Sequence, residues 1–139
     1  MTYNLNMKKK RKKVIIVGAG FGGCKAAKVL ANNGFEVTLF DKRNHYVFQP
    51  LLYQVATAML SPSQIAAPIR AIFRNMKNVR VLLGNIIRVN KDKQVVQPKR
   101  SNQEFKYDYL IIAAGSRHSY FGNDNWEEYA WGLKTTKDA

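Results

Sequence analysis

Six residues, Gly18-Ala19-Gly20-Phe21-Gly22-Gly23, follow the β-branched run Val14-Ile15-Ile16-Val17, and an acid, Asp41, stands 18 residues beyond Gly23. No other feature constrains the chain as tightly. An uninterrupted apolar run of this kind forms a strand buried on both faces, as in a parallel sheet. The spacing Gly18-x-Gly20-x-x-Gly23 predicts a tight turn that opens a helix. Gly18 permits the turn, Gly20 lets a diphosphate approach the backbone, and Gly23 lets the helix pack close to the strand. The helix start presents free N–H groups and a partial positive charge. Asp41, ending the next strand, is placed to accept hydrogen bonds from ribose hydroxyls, each worth about 1.5 to 3 kcal/mol to a charged acceptor. Strand, turn, helix and acid together point to a dinucleotide site, against the plainer reading of a structural glycine turn.

The remaining pattern extends this start into an α/β domain. Residues 21–33 read as a helix whose Ala26, Ala27 and Leu30 form an apolar face, with Asn33-Gly34 as its C-terminal signal. Residues 36–40 form a second strand. Residues 42–58 read as a loop rich in aromatics (Tyr46, Phe48 and Tyr53, beside His45), interrupted by Pro50. Ser61-Pro62-Ser63-Gln64 is a helix start, and Pro68 divides residues 61–75 into two short helical pieces. Residues 79–83 form a third parallel strand. Residues 85–89, 94–97 and 104–107, separated by turn chemistry, form a small antiparallel meander. Tyr109-Leu110-Ile111-Ile112-Ala113-Ala114-Gly115 reads as a buried strand ending in a tight turn. Residues 116–139 show no clear periodicity. Within them, Trp126, Tyr129 and Trp131 either cover the sheet's edge or stand exposed.

The length, 139 residues, fits one domain. An enzyme with two dinucleotide domains needs about 250 to 300 residues. With 46% hydrophobic and 12% aromatic residues the chain builds a core, which excludes wholesale disorder. The net charge is +14, and the run Lys8-Lys9-Lys10-Arg11-Lys12-Lys13 supplies six of it, leaving a basic remainder of +8. The run reads as a solvated segment, 1–13, ahead of the domain at 14–139. A membrane-surface contact is the sharper alternative, at roughly 1 kcal/mol per basic residue near anionic lipid. Interleaved aromatics, a helix-turn-helix pattern and zinc ligands are all lacking, so no specific nucleic-acid binding is expected. Cys24 is the one cysteine, so no disulfide forms within the chain, which fits a reducing compartment. Beside the glycine motif it reads as a packed small residue, although a helix N-terminus can activate a thiol. His45 and His118 stand alone, and no metal site is expected. No apolar run reaches the roughly 18 to 20 residues that span a bilayer. The location expected is cytoplasmic, with peripheral membrane contact.

Motif physics leaves FAD and NAD open, since both carry an ADP half. The order of third strand, meander and strand ending at Ala114-Gly115 resembles the FAD domain of glutathione-reductase-like flavoproteins, with Ala114 where they carry threonine. Phe48-Gln49-Pro50-Leu51-Leu52-Tyr53-Gln54-Val55-Ala56-Thr57 resembles the signature of type II, non-proton-pumping NADH:quinone dehydrogenases. Ser61-Pro62, Val81-Leu82-Leu83-Gly84, His118-Ser119-Tyr120-Phe121-Gly122 and Gly132-Leu133-Lys134-Thr135 fit the N-terminal third of that family. The chain departs from it at Ala58 and Met59, where glycines are frequent.

The resemblance implies a Rossmann-like FAD-binding domain, incomplete in this chain. It implies that Gly18, Ala19, Gly20, Phe21, Gly22 and Gly23 line the FAD pyrophosphate and that Asp41 and Lys42 sit at the ribose. Ile86 would meet the adenine through its backbone, and Ala114 and Gly115 would approach the flavin. Pro50 and Gln54 would lie in the stretch running towards the isoalloxazine. In the family, NADH reduces FAD and the flavin reduces a membrane quinone, at the inner face of the membrane. The family's NADH domain and C-terminal membrane-anchoring helices have no counterpart in this sequence. The chain therefore reads as an N-terminal fragment with little or no activity by itself, its oligomeric state open, homodimer included. Two other functions stay in view: another FAD- or NAD(P)-dependent oxidoreductase of ferredoxin-reductase type, and a non-catalytic basic module binding lipid or nucleic acid.

Overall fold

The computed structural model describes residues 11–99 and 101–139. Lys8, Lys9 and Lys10 of the basic run lie outside the described residues. In chain order the first elements are β1 (Lys13–Val17), α1 (Phe21–Asn32), β2 (Glu36–Asp41), β3 (His45–Val47), α2 (Leu52–Ala56), α3 (Pro62–Ile65), β4 (Ala66–Pro68) and α4 (Ile69–Ile72). They are followed by β5 (Val79–Leu83), β6 (Ile86–Asn90), β7 (Val95–Pro98), β8 (Phe105–Lys106) and β9 (Tyr109–Ile112).

The central sheet is parallel, in the order β5-β2-β1-β9. Its middle strand explains the apolar run. Successive side chains of a strand point to opposite faces, and here both faces are covered. Val14 and Ile16 pack with Val37 and Leu39 against Cys24, Ala27 and Ala31 of α1 and against Ile69 and Phe73. Ile15 points the other way, into a cluster with Phe40 and Val96, against which Phe105 and Leu110 pack. That second face is capped by the antiparallel meander β6-β7-β8. The parallel strands and the meander follow the sequence expectation. Helix α1 ends one residue earlier than expected, at Asn32. Asn33 caps it, its N–H donating to the Val29 carbonyl at 3.1 Å, and Gly34 follows at φ 82°.

Three segments differ from expectation. The aromatic loop 42–58 contains structure. His45–Val47 forms β3, antiparallel to β4, and a 3-10 turn at Gln49–Leu51 leads into α2. Three-residue strands are too short to show alternation, and the partner strand lies some twenty residues on. The two helical pieces after Ser61 are α3 and α4, with β4 between them; the Ser61 N–H donates to Gln64 Oε1 at 2.8 Å. Finally, the strand expected to be buried through Gly115 stops at Ile112. It is an edge of the sheet, with Tyr109 54% and Ile112 68% exposed. Trp126, Tyr129 and Trp131 stand exposed and leave that edge uncovered.

Ala58, which closes α2, has φ 59°. The Ala58 N–H donates to Val55 and the Met59 N–H to Gln54, so the turn is held in this conformation. The left-handed region costs a residue with a Cβ roughly 1 to 2 kcal/mol, partly offset by the greater unfolded-state entropy of glycine. Ala58→Gly is therefore expected to stabilise the protein by about 0.5 to 1 kcal/mol, raising Tm by roughly 1 to 4 °C. A lowered Tm in a thermal melt would remove strain as the reason.

Candidate functional site

The glycine turn sits where the carboxyl ends of β1 and β2 meet, the edge at which ligands bind open α/β sheets. Its four motif glycines divide into two pairs. Gly18 has φ 103°, and a Cβ there would run into the Ala113 carbonyl. A Cβ on Gly23 would run into the Gly18 carbonyl. The fold itself therefore requires these two. A Cβ on Gly20 or Gly22 would meet nothing within 4 Å. Gly20 has φ −76°, which any residue adopts. Among the described residues nothing requires glycine at these two positions; they stand at the first N–H groups of α1, which have no partner within the helix.

Asp41 closes the turn from the side. Its Oδ2 accepts the Ala19 N–H at 2.6 Å and its Oδ1 accepts the Arg43 N–H at 2.7 Å. A carboxylate offers about four lone-pair sites, so each oxygen keeps capacity for a ligand hydroxyl. The Gly18 N–H, donating to the Phe40 carbonyl at 2.7 Å, joins turn and strand end. Arg43 is the residue the sequence reading missed. Its backbone N–H donates to Asp41, and its Nε is buried without a hydrogen-bond partner. The one available signal was a basic residue two places beyond the acid.

The other expected residues are placed as follows. Ala114 lies against the turn, since the Ala113–Ala114 peptide faces Gly18, and Gly115 follows it at φ 77°. Lys42 is exposed beside Asp41. Ile86 begins β6 just beyond Gly84, whose N–H donates to the Asp41 carbonyl at 2.8 Å. Pro50 and Gln54 are one step removed. The structure ties their segment to the turn through Phe48, whose ring meets Phe21 edge-on at 5.5 Å, as does Tyr46. Gln49, next to Pro50, donates from Nε2 to the Lys134 carbonyl at 3.3 Å, which links this segment to the C-terminal region.

Cys24 does not take part. Its thiol donates to the Ala19 carbonyl at 3.1 Å, and burial pushes its pKa up to about 11, outweighing the nearby Lys28. Raised from 9.0, the thiol is neutral at physiological pH, with a thiolate fraction about 100-fold below that of an unshifted thiol. Iodoacetamide at pH 7.5 is expected to label Cys24 roughly 100-fold more slowly in the native protein than in urea. Equal rates would mean that the thiol is accessible and active. Among the described residues no group of three or more His, Cys, Asp or Glu side chains could hold a metal ion. None of the helices among those residues is long and apolar enough to cross a membrane.

A parallel sheet with a glycine turn at its carboxyl edge, an acid at the end of the second strand and open space before Gly20 and Gly22 defines a dinucleotide-binding fold. The chain matches the pyridine nucleotide-disulphide oxidoreductase family over residues 12–139 and belongs to it. The type II NADH:quinone oxidoreductase Ndh of Mycobacterium tuberculosis is 44% identical over 132 residues, 94% of this chain and 28% of that protein. NDH2 of Plasmodium falciparum, solved with NADH, superposes at TM-score 0.80 with 27% identity, covering 93% of this chain and 27% of that one. The sulfide:quinone oxidoreductase of Aquifex aeolicus superposes at 0.82 with 25% identity, covering 91% and 29%. The chain thus spans little more than a quarter of the length of these relatives.

Proposed function

We propose that residues 14–139 are the N-terminal portion of the FAD-binding domain of a type II, non-electrogenic NADH:quinone oxidoreductase. The observation that carries this reading is the open space before Gly20 and Gly22, which the protein does not use. The 44% identity to Ndh supports the type II assignment over the sulfide:quinone alternative.

The residues fit FAD. The N–H groups of Phe21, Gly22 and Gly23 would bind the diphosphate, favoured by the helix dipole. Asp41 would hold the ribose, with Lys42 beside it and Arg43 Nε as a further donor. The Ile86 backbone would face the adenine. Ala114 and Gly115 would bring a side-chain-poor surface near the flavin, and Pro50 and Gln54 would border its ring. When bound, FAD supplies the redox chemistry, accepting a hydride from NADH and passing electrons to quinone. This chain's part is to bind, orient and shield it. NADH, a membrane quinone and a peripheral position on the inner face of the membrane belong to the same proposal. A ferredoxin-reductase-type role has no observation that favours it.

The test is the visible spectrum of the protein purified from its own cells, with and without NADH. A yellow protein with flavin absorption bands is the expected result, and where the protein carries an NADH domain those bands are bleached by NADH and restored by a quinone. A colourless protein with no affinity for added FAD would sink the reading.

A further inference from the structure

At the amino ends of the strands, the end of the sheet away from the glycine turn, three cations converge on a cleft. It has a volume of about 330 Å³ and is lined by Arg11, Glu36, Val37, Lys77, Asn78 and Arg80. That volume is at the lower end of the roughly 300–1,000 Å³ typical of small-ligand pockets. Glu36 begins β2, Arg80 is the second residue of β5, and Lys77 and Asn78 precede β5. A five-residue strand separates this end from the glycine turn by about 17 Å, at roughly 3.3 Å per residue.

The charge balance of the cleft is three cations to one carboxylate. Among the described residues none of Arg11, Lys77 and Arg80 forms an ion pair; the pair found nearby joins Lys12 to Asp108 at 3.3 Å. The walls are held in place by directed bonds. Asn78 Nδ2 donates to the carbonyls of Ala31 and Phe35, both at 2.8 Å, and the Asn78 carbonyl accepts the Val37 N–H at 2.9 Å. The Glu36 N–H donates to the Lys12 carbonyl at 3.0 Å. A concave site with an excess of one sign of charge focuses the field and concentrates counter-ions. Glu36 offsets one of the three cations, and a bound anion would be attracted by the excess that remains. Guanidinium forks match phosphate oxygens two at a time, while the lysine acts as a point charge.

We infer that this cleft binds a phosphomonoester. A phosphomonoester carries close to two negative charges at neutral pH, which matches the cleft's excess of two cations. The group is carried either by a small soluble phosphate ester or by the headgroup of phosphatidic acid, and the inference stands apart from the flavin reading.

The purified protein is titrated with glycerol 3-phosphate by calorimetry. In parallel it is sedimented with phosphatidylcholine vesicles with and without phosphatidic acid. Saturable binding of glycerol 3-phosphate, weakened at least tenfold in Lys77→Gln/Arg80→Gln, establishes the soluble source. Binding only to phosphatidic acid vesicles, lost in the same variant, establishes the lipid source. Lys77 and Arg80 are both exposed, so the variant should keep the wild-type circular dichroism; if it does not, Lys77→Gln alone is used with a threefold criterion. Lys91→Gln/Lys93→Gln removes the same charge from the turn between β6 and β7, outside the lining of the cleft, and should bind like the wild type. Binding to neither probe, no loss in the cleft variants, or an equal loss in the Lys91/Lys93 control overturns the inference.

Discussion

Gly20→Val is expected to leave the fold intact and to weaken FAD binding by roughly 100- to 10,000-fold. The first half follows from the protein alone. Gly20 has φ −76°, and a Cβ there meets nothing within 4 Å. The second half follows from what the open space is for. A branched side chain at Gly20 would stand between a diphosphate and the N–H groups that open α1. Hydrogen bonds to a charged acceptor are worth about 1.5 to 3 kcal/mol each. Losing two costs roughly 3 to 6 kcal/mol, and each 1.4 kcal/mol is a factor of ten in affinity. The measurement is FAD titration by flavin fluorescence, alongside a thermal melt of the apoprotein. Wild-type affinity in the variant would mean that the turn is structural and binds no diphosphate.

Gly23→Val is expected to do the reverse, removing stability before any question of cofactor arises. Its Cβ would overlap the Gly18 carbonyl, oxygen and carbon, while the Ala113 Cβ closes the far side at ordinary contact distance. Neither neighbour can retreat easily. Gly18 is held through its N–H to the Phe40 carbonyl, and Ala113 through its N–H to the Val17 carbonyl, both at 2.7 Å. Relief would require α1 to move off the sheet and uncover Cys24, Ala27 and Ala31. A clash of this kind belongs with the rare substitutions that cost on the order of 4 kcal/mol. At 2 to 4 °C per kcal/mol for a chain of this size, Tm should fall by roughly 10 °C in the apoprotein. A Tm within about 2 °C of wild type would show that the helix has room the structure denies it.

The contrast between these variants marks where sequence reading stopped. The spacing of Gly18, Gly20 and Gly23 announced the turn and the part each glycine plays, but not the atoms that make each part necessary. For Gly18 those atoms belong to Ala113, far along the chain, whose carbonyl lies under it; for Gly23 they belong to the Gly18 carbonyl. Asp41 was legible as the acid of the site because it ends a strand started by a local apolar pattern. Its bonds to the Ala19 and Arg43 N–H groups were not, because they depend on the path of two turns in space. Arg43 itself passed as one of many basic residues until the burial of its Nε distinguished it.

The β3–β4 pair escaped for a related reason. Strands of three residues carry no period, and their pairing of Tyr46 with Ala67 is set by tertiary packing. The exposed edge at Tyr109 and Ile112 was misread because an apolar run looks the same whether one neighbour or two will cover it. The cleft of Arg11, Lys77 and Arg80 was equally invisible, its cations being scattered over some seventy residues of a chain that is basic throughout.

The sequence by itself determined the elements built from local information: the strand Val14–Val17, the helix that follows, the glycine turn between them, the acid at the end of the second strand and the three-stranded meander. These rest on side-chain periodicity and on backbone conformations that only glycine or proline adopts readily, both of which act within a few residues. The tertiary structure decided which strand is central and which is edge, which atoms a side chain at Gly18 or Gly23 would meet and where the basic side chains meet. Those outcomes are contacts between residues far apart in the chain, and a contact exists only once the backbone has been folded to make it.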